Sequence, residues 1–298
     1  MTRPPVQKAL IPAAGRGTRF LPFTKAVPKE LAPIVTTPAL EFVVREAAGV
    51  GVTDVLIVVS AGKGAINEYF QSQEDLEAAL AAKGDETGLR QVREPVELAN
   101  YEYVEQKEPR GLGHAVGHGA DFSGGQPVAV LLPDDLIDER DALLKSMLDV
   151  YAEHGGIVLG LLDVGPEEIS RYGCVVLADG ADQSDEVVPV VDLVEKPKPE
   201  EAPSTLAIIG RYVLPPEIFP VLNETQPGSG GEIQLTDAMR TLCQQGTPVH
   251  GVVFRGRRYD TGDRLEYVKA VVQFAARHPD IGADFRSWLR KYEPEDTP

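Results

Sequence analysis

Two hydrophobic patterns alternate along the first half of the chain. Short unbroken apolar runs read as strands buried on both faces: KALIP within residues 6–13, DVLIVVS at 54–60 and VAVLL at 128–132. Residues 101–106 alternate apolar and polar, as a strand does. Between these lie segments of helical period at 39–49, 63–70, 75–82, 112–121 and 141–154. The last carries Leu143, Leu144, Met147, Leu148 and Tyr151 on one face. Strand and helix in alternation predict a doubly wound α/β sheet.

After residue 156 the order changes. Strands are predicted in close succession at 156–164, 174–178, 190–195 and 206–213, which suggests antiparallel additions to the same sheet. Helices follow at 216–222 and 234–243, a strand at 249–254, and helices at 264–277 and 283–291. Residues 85–100 are polar and irregular enough to read as a flexible insertion. The expectation is a Rossmann-like α/β fold: a mixed sheet with added antiparallel strands and C-terminal helices.

Composition narrows the function. The 298 residues are 43% hydrophobic, enough for a sizeable core, and the net charge is −17. An acidic surface of that size argues against nucleic acid and anionic membranes as partners, because both are bound through accumulated lysine and arginine. No apolar run approaches the ~20 residues of a membrane span, and the amino terminus lacks the apolar core of a signal peptide. Cys174 and Cys243 have no metal or disulfide spacing and are expected as buried thiols. A cytoplasmic location is expected.

The charge is not evenly spread. No Asp or Glu occurs before Glu30, whereas Arg3, Lys8, Arg16, Arg19, Lys25 and Lys29 all do. The stretch AAGRGTRFLPFTKAVPKELAP, residues 13–33, is therefore a positive island. A solvated basic tail is the plainer reading, but it does not explain the glycine and proline spacing. Gly15 and Gly17 allow close backbone approach to an anion. Thr18 can bond locally or to an oxygen, Arg19 offers a planar fork, and Lys29 a point charge. Neither common phosphate motif fits, since Phe20 and Leu21 stand where the required glycine and lysine would be.

Ligands of open α/β sheets bind beyond the carboxyl ends of the strands. Asp134, in Pro133-Asp134-Asp135, follows VAVLL at such an end. It can hold Mg²⁺ or cap a helix, and Asp135 can serve as the cap in its place. Asp260, in YDTGD, is a second metal candidate, with a turn acid as the alternative. Glu195-Lys196 closes VVDLVEKP, either as a surface ion pair or as part of a site held by Pro197 and Pro199. His114 and His118 lack the glutamate of a zinc-protease helix and read as packing or surface residues. No nucleophile–base grouping is visible. Two reacting phosphates need none: a sugar phosphate, with its second pKa about 6, is already close to doubly charged at neutral pH.

The motifs GRGTRFLPFTKAVPKELAP, EQKEPRGLGHAV, LLPDD, RYGCVV, VEKPKPEEAPSTLAIIGRYVL and GSGGEIQLTDAM, in that order, resemble the nucleotide-sugar pyrophosphorylases. The TKAVPKE form is similar to bacterial UTP–glucose-1-phosphate uridylyltransferases. The likeness spans about residues 6–290. It implies a single nucleotidyltransferase domain over 1–298 with the nucleotide-diphospho-sugar transferase fold. Within it, 6–155 would serve mainly the nucleotide, 156–262 the sugar phosphate, and 263–298 an oligomer contact.

The resemblance also implies UDP-glucose and pyrophosphate made from UTP and glucose 1-phosphate, with Mg²⁺. Ala14, Gly15 and Glu30 would lie by the nucleotide, and Gln106 and Gly111 would read uracil. Arg19 would bind triphosphate and Lys29 neutralise charge at the α-phosphate. Asp134 and Asp260 would hold the metal. Gly173, Glu195 and Lys196 would hold the sugar phosphate, with Glu232 in a matching block. A homodimer or homotetramer is expected, with Trp288 near the contact. Transfer of thymidylate, and a catalytically dead sugar-nucleotide sensor, are the alternatives.

Overall fold

The computed structural model describes residues 3–293. Its strands are β1 (Lys8–Pro12), β2 (Pro33–Ile34), β3 (Thr37–Pro38), β4 (Asp54–Val59), β5 (Asn100–Glu105), β6 (Val128–Leu131) and β7 (Asp135–Ile137). They continue as β8 (Ile157–Asp163), β9 (Gly173–Leu177), β10 (Val187–Glu195), β11 (Leu206–Leu214), β12 (Val249–Val253) and β13 (Arg258–Asp260). Nine form one sheet in the order β5-β4-β1-β6-β11-β8-β12-β10-β9. β5, β4, β1 and β6 are parallel. β11 enters antiparallel between β6 and β8, and β10 runs antiparallel to both β12 and β9. The mixed sheet is the one expected from the crowding of strands after residue 156.

Each central strand buries both faces, and the two faces feed different cores. Ala9 and Ile11 of β1, Val55 and Ile57 of β4, and Ala129 and Leu131 of β6 pack with helices Ala39–Gly49, Leu143–His154 and Arg264–Arg277. Leu10, Leu56, Val58, Val128 and Val130 point the other way, onto helices Leu112–Gly117, Ile218–Glu224 and Leu235–Gln244. The period of two along each strand thus divides one apolar run between two helical layers.

Four local expectations need correction. Residues 85–100 are not a flexible insertion: Glu86–Glu97 is a helix, with the Asp85 carboxylate accepting from the Gly88 amide at its start and Pro95 buried within it. Residues 112–121 do not form one helix. They divide into Leu112–Gly117 and Ala120–Ser123 around Gly119, where a Cβ would lie 2.2 Å from Leu10 Cδ1. Asp135 caps no helix; it lies in β7, which pairs with β13. Cys174 is buried, but Cys243 is only partly so and its Sγ donates to the Val191 carbonyl.

Candidate active site

The loop after β1 is folded onto itself by its own residues. Gly17 adopts φ 63°, a left-handed conformation favoured by glycine. A Cβ there would lie 3.0 Å from Thr24 Cγ2 and 3.2 Å from Lys29 Cβ. Thr24 Oγ1 donates to the Gly17 carbonyl at 2.8 Å. The stem of Lys29 also passes Gly15, whose Cβ would sit 3.8 Å from Lys29 Cε. Ala14 is buried at the foot of the loop, and Thr18 begins a short 3-10 turn, Thr18–Phe20. A cavity of about 260 Å³ opens beside the loop, lined in part by Arg16, Lys25, Lys29 and Lys63 and by no acid.

Beyond β6, a buried arginine and a half-buried one hold the segment that carries Asp134. Arg211, fully buried, pairs with Glu46 at 2.6 Å and donates to the Leu132 carbonyl at 3.2 Å. Arg258 donates to Asp135 at 2.6 Å, and the Gly210 amide donates to the other oxygen of that carboxylate at 2.7 Å. Asp135 is thus a buried anchor. Asp134, its neighbour, turns to the cations: its Oδ2 meets Lys29 Nζ. Thr261 closes the site from the far side, its amide and hydroxyl donating to the Asp134 carbonyl.

Arg19 joins the group by donating to the Gly262 carbonyl at 3.2 Å. A Cβ on Gly262 would lie 2.8 Å from Asp134 Oδ2 and 3.1 Å from Asp260 Oδ1, so both carboxylates face one small space that only glycine leaves open. Burial favours the neutral form of Asp134, but Lys29 and Arg19 outweigh it and hold the carboxyl below its usual range. Asp260 is pushed upward by burial and by the charges of Asp134 and Asp135, with Arg258 opposing. An ionised Asp134 beside Asp260, whose proton affinity it raises, presents hard oxygen donors to one gap and suits a small divalent cation.

Lys63, not singled out in the sequence, lies on the same side. It pairs with Glu30 at 2.8 Å and donates to the Ala13 carbonyl at 2.5 Å. Glu30 is 2% exposed and turned inward onto this lysine, so it positions the loop from beneath. Burial raises its carboxyl above the ordinary value, partly offset by Lys63 and Lys29.

The Glu195 end of the sheet is tied to this centre. Arg258, bound to Asp135, also lies over the Tyr172 ring, 5.6 Å from its centroid. The next residue, Gly173, pairs with Glu195 in the sheet, and its Cβ would fall 3.1 Å from both Glu195 Oε2 and Thr236 Oγ1. Lys196 Nζ lies 3.1 Å from Glu195 Oε1. Its backbone φ of 44° is uncommon for a side chain with Cβ and marks a position held by its surroundings. Glu195 is half-buried, whereas Lys196 is exposed.

Gln106, at the end of β5, is 5% exposed and donates to the Gly111 carbonyl at 3.3 Å. Gly111 takes φ 102° and is pressed against the segment before helix Leu235–Gln244: a Cβ would lie 2.7 Å from Glu232 Cβ. Across this seam the Gly113 amide donates to the Ile233 carbonyl and the Ile233 amide to the Arg110 carbonyl, both at 2.8 Å. Residues 232–236 therefore bridge the Gln106 end to the Gly173 end, with Glu232 at the former and Thr236 at the latter. Thr236 and Lys63 are not legible in the sequence, because a lone threonine or lysine carries no local signal. His114 contacts Gln106, a relationship that its spacing to His118 does not signal.

The chain matches a family model described as nucleotidyl transferase over residues 8–277. It is 43% identical to the UTP–glucose-1-phosphate uridylyltransferase YngB of Bacillus subtilis over 99% of this chain and 98% of that protein. Identity to a UTP–glucose-1-phosphate uridylyltransferase of Staphylococcus epidermidis is 42%, covering 97% and 99%. The solved structure of a UTP-bound UGPase from Acinetobacter baumannii superposes with a TM-score of 0.89 at 35% identity, over 97% of this chain and 100% of that one. A basic glycine loop, a carboxylate cradle and a tethered Glu-Lys pair thus lie on a chain that belongs to the nucleotidyl transferase family.

Proposed function

We propose that the chain is a UTP–glucose-1-phosphate uridylyltransferase. A phosphate oxygen of glucose 1-phosphate attacks the α-phosphorus of UTP in line. A new P–O bond forms, the bond to the bridging β-oxygen breaks, and pyrophosphate leaves with that electron pair. UDP-glucose is the other product. The observation that supports this most is the gathering of Arg19, Lys29, Asp134 and Asp260 around Gly262.

The reaction joins two polyanions, so its barrier is largely charge repulsion and alignment. Arg19 binds the triphosphate through a fork that matches phosphate oxygens. Lys29 exchanges its carboxylate partner for phosphate and neutralises charge growing at the α-phosphate. Asp134 and Asp260 would hold Mg²⁺, which when bound withdraws charge from the triphosphate. Ala14, Gly15, Gly17 and Thr18 line the path of the nucleotide, and Glu30 keeps that loop in place through Lys63. Gln106 and Gly111 face the base, with Glu232 beside them. Gly173 and Glu195 bond sugar hydroxyls, and Lys196 the sugar phosphate.

The chain works as a homodimer or homotetramer in this reading. Trp288 is 53% exposed and stacks into a small aromatic cluster with Phe285 and Tyr292, an apolar surface suited to such a contact. No helix among the described residues is long and apolar enough to cross a membrane. The test of function is a panel of nucleoside triphosphates against sugar 1-phosphates with Mg²⁺, scored by pyrophosphate. UTP with glucose 1-phosphate should lead. Pyrophosphate release with dTTP but not UTP would move the assignment to thymidylyl transfer.

A further inference from the structure

The Gln106 side-chain amide is oriented by two contacts. Its Nε2 lies 3.3 Å from the Gly111 carbonyl and 2.8 Å from His114 Nδ1. A carbonyl oxygen can only accept, so the NH₂ end must face Gly111. The second NH₂ proton then points at His114, whose Nδ1 must offer a lone pair. The imidazole is therefore neutral and carries its proton on Nε2. Both donors of the amide are occupied, and Oε1 has no hydrogen-bond partner among the described residues.

The alternative amide orientation would set Oε1 against the Gly111 carbonyl, two acceptors facing each other in a site where Gln106 is 5% exposed. That cost falls on any state in which His114 cannot accept. The groups facing the ring are His118, Arg110 and Glu108. The His118 ring lies 4.8 Å away edge-on. Burial, then His118 and Arg110, disfavour a charged ring, while Glu108 pulls the other way.

Uracil presents an N3–H donor between two carbonyls, whereas cytosine presents a bare N3 acceptor at the same edge. We propose that His114 is a positioning residue that locks Gln106 with Oε1 free to accept from an imide N–H, and so selects uracil-type bases over cytosine. This rests on the reading that Gln106 faces the nucleotide base. His114 itself touches no substrate; it acts by deciding which end of the amide is presented.

The test is kcat/KM for UTP and for CTP, with glucose 1-phosphate and Mg²⁺, in the wild type, His114→Phe and His114→Asn. Phenylalanine keeps a flat ring but accepts nothing; asparagine offers Oδ1 in place of Nδ1. His114→Phe should lower the UTP:CTP preference by about tenfold or more, chiefly through KM for UTP, and His114→Asn should restore most of it. His114→Leu, read the same way, replaces the phenylalanine variant if that one does not fold. A folded variant without an acceptor that loses activity equally on both nucleotides overturns the proposal, since a purely structural histidine would do that. Failure of the wild type to use UTP would instead overturn the assignment of function.

Discussion

Lys29 and Asp134, 105 positions apart in sequence, meet side chain to side chain at the carboxyl edge of the sheet. The contact unites the two local signals that the sequence offers separately. Burial works against the charge of each, yet each is kept ionised by the other: the lysine is held above its usual range and the aspartate below. A lysine so held is a cation at neutral pH.

Lys29→Ala should therefore lower kcat by about 100- to 1,000-fold, the range for losing one preorganised charge-stabilising group. KM for glucose 1-phosphate should move by less than about threefold. Steady-state kinetics decides this, and an unchanged kcat would remove Lys29 from the chemistry.

Gly262→Ala tests the cradle without touching a charge. The new methyl would lie 2.8 Å from Asp134 Oδ2 and 3.1 Å from Asp260 Oδ1, where the two carboxylates face each other. The Mg²⁺ concentration needed for half-maximal rate should rise by about tenfold or more, as it should for Asp134→Asn. A magnesium titration that superposes on the wild type would mean that these carboxylates hold no metal.

Gly173→Ala addresses the proposed sugar end. The backbone there tolerates a side chain, but the Cβ would stand 3.1 Å from both Glu195 Oε2 and Thr236 Oγ1. KM for glucose 1-phosphate should rise by roughly tenfold while KM for UTP stays within about twofold, the cost of displacing hydrogen-bonding groups by an ångström or less. Equal effects on both substrates would argue that Gly173 serves the whole fold instead.

The legible parts of this site are those whose signal is local. Arg19 and Lys29 stand out because no acid precedes Glu30, and Asp134 because a four-residue buried strand ends just before it. What was hidden depends on distant partners. Asp135 looks like a helix cap until Arg258, 123 positions away, and the Gly210 amide, 75 away, take its two oxygens. The helix Glu86–Glu97 is obscured by its own polarity and by Pro95, and is tied down by the pairing of Glu94 with Arg45 at 2.6 Å, 49 positions away. The mixed sheet was readable as a class, but its order was not, because β11 enters between β6 and β8 from far along the chain.

Acid sensitivity should trace in part to Asp138. Its fully buried carboxylate accepts from Arg140 at 2.6 and 2.8 Å and from Tyr259 at 3.1 Å, and it also meets Arg277. Burial alone would raise its pKa, but the two arginines overcome this and hold it far below the usual carboxylate value. A depressed folded pKa adds stability above the unfolded value of about 4, which is lost as pH falls towards the folded one. Asp138→Asn should cost roughly 2–3 kcal/mol at pH 7 and flatten the dependence of stability on pH between about 4 and 2. Denaturant titrations at those pH values check it; parallel losses in variant and wild type would place the acid sensitivity elsewhere.

The most direct measurement is phosphorus NMR of the purified chain with UTP, glucose 1-phosphate and Mg²⁺. Stoichiometric UDP-glucose and pyrophosphate should appear, vanish with chelator, and slow by two orders of magnitude or more in Lys29→Ala. UTP left intact by folded wild-type protein, or hydrolysed to UMP with glucose 1-phosphate untouched, would contradict uridylyl transfer.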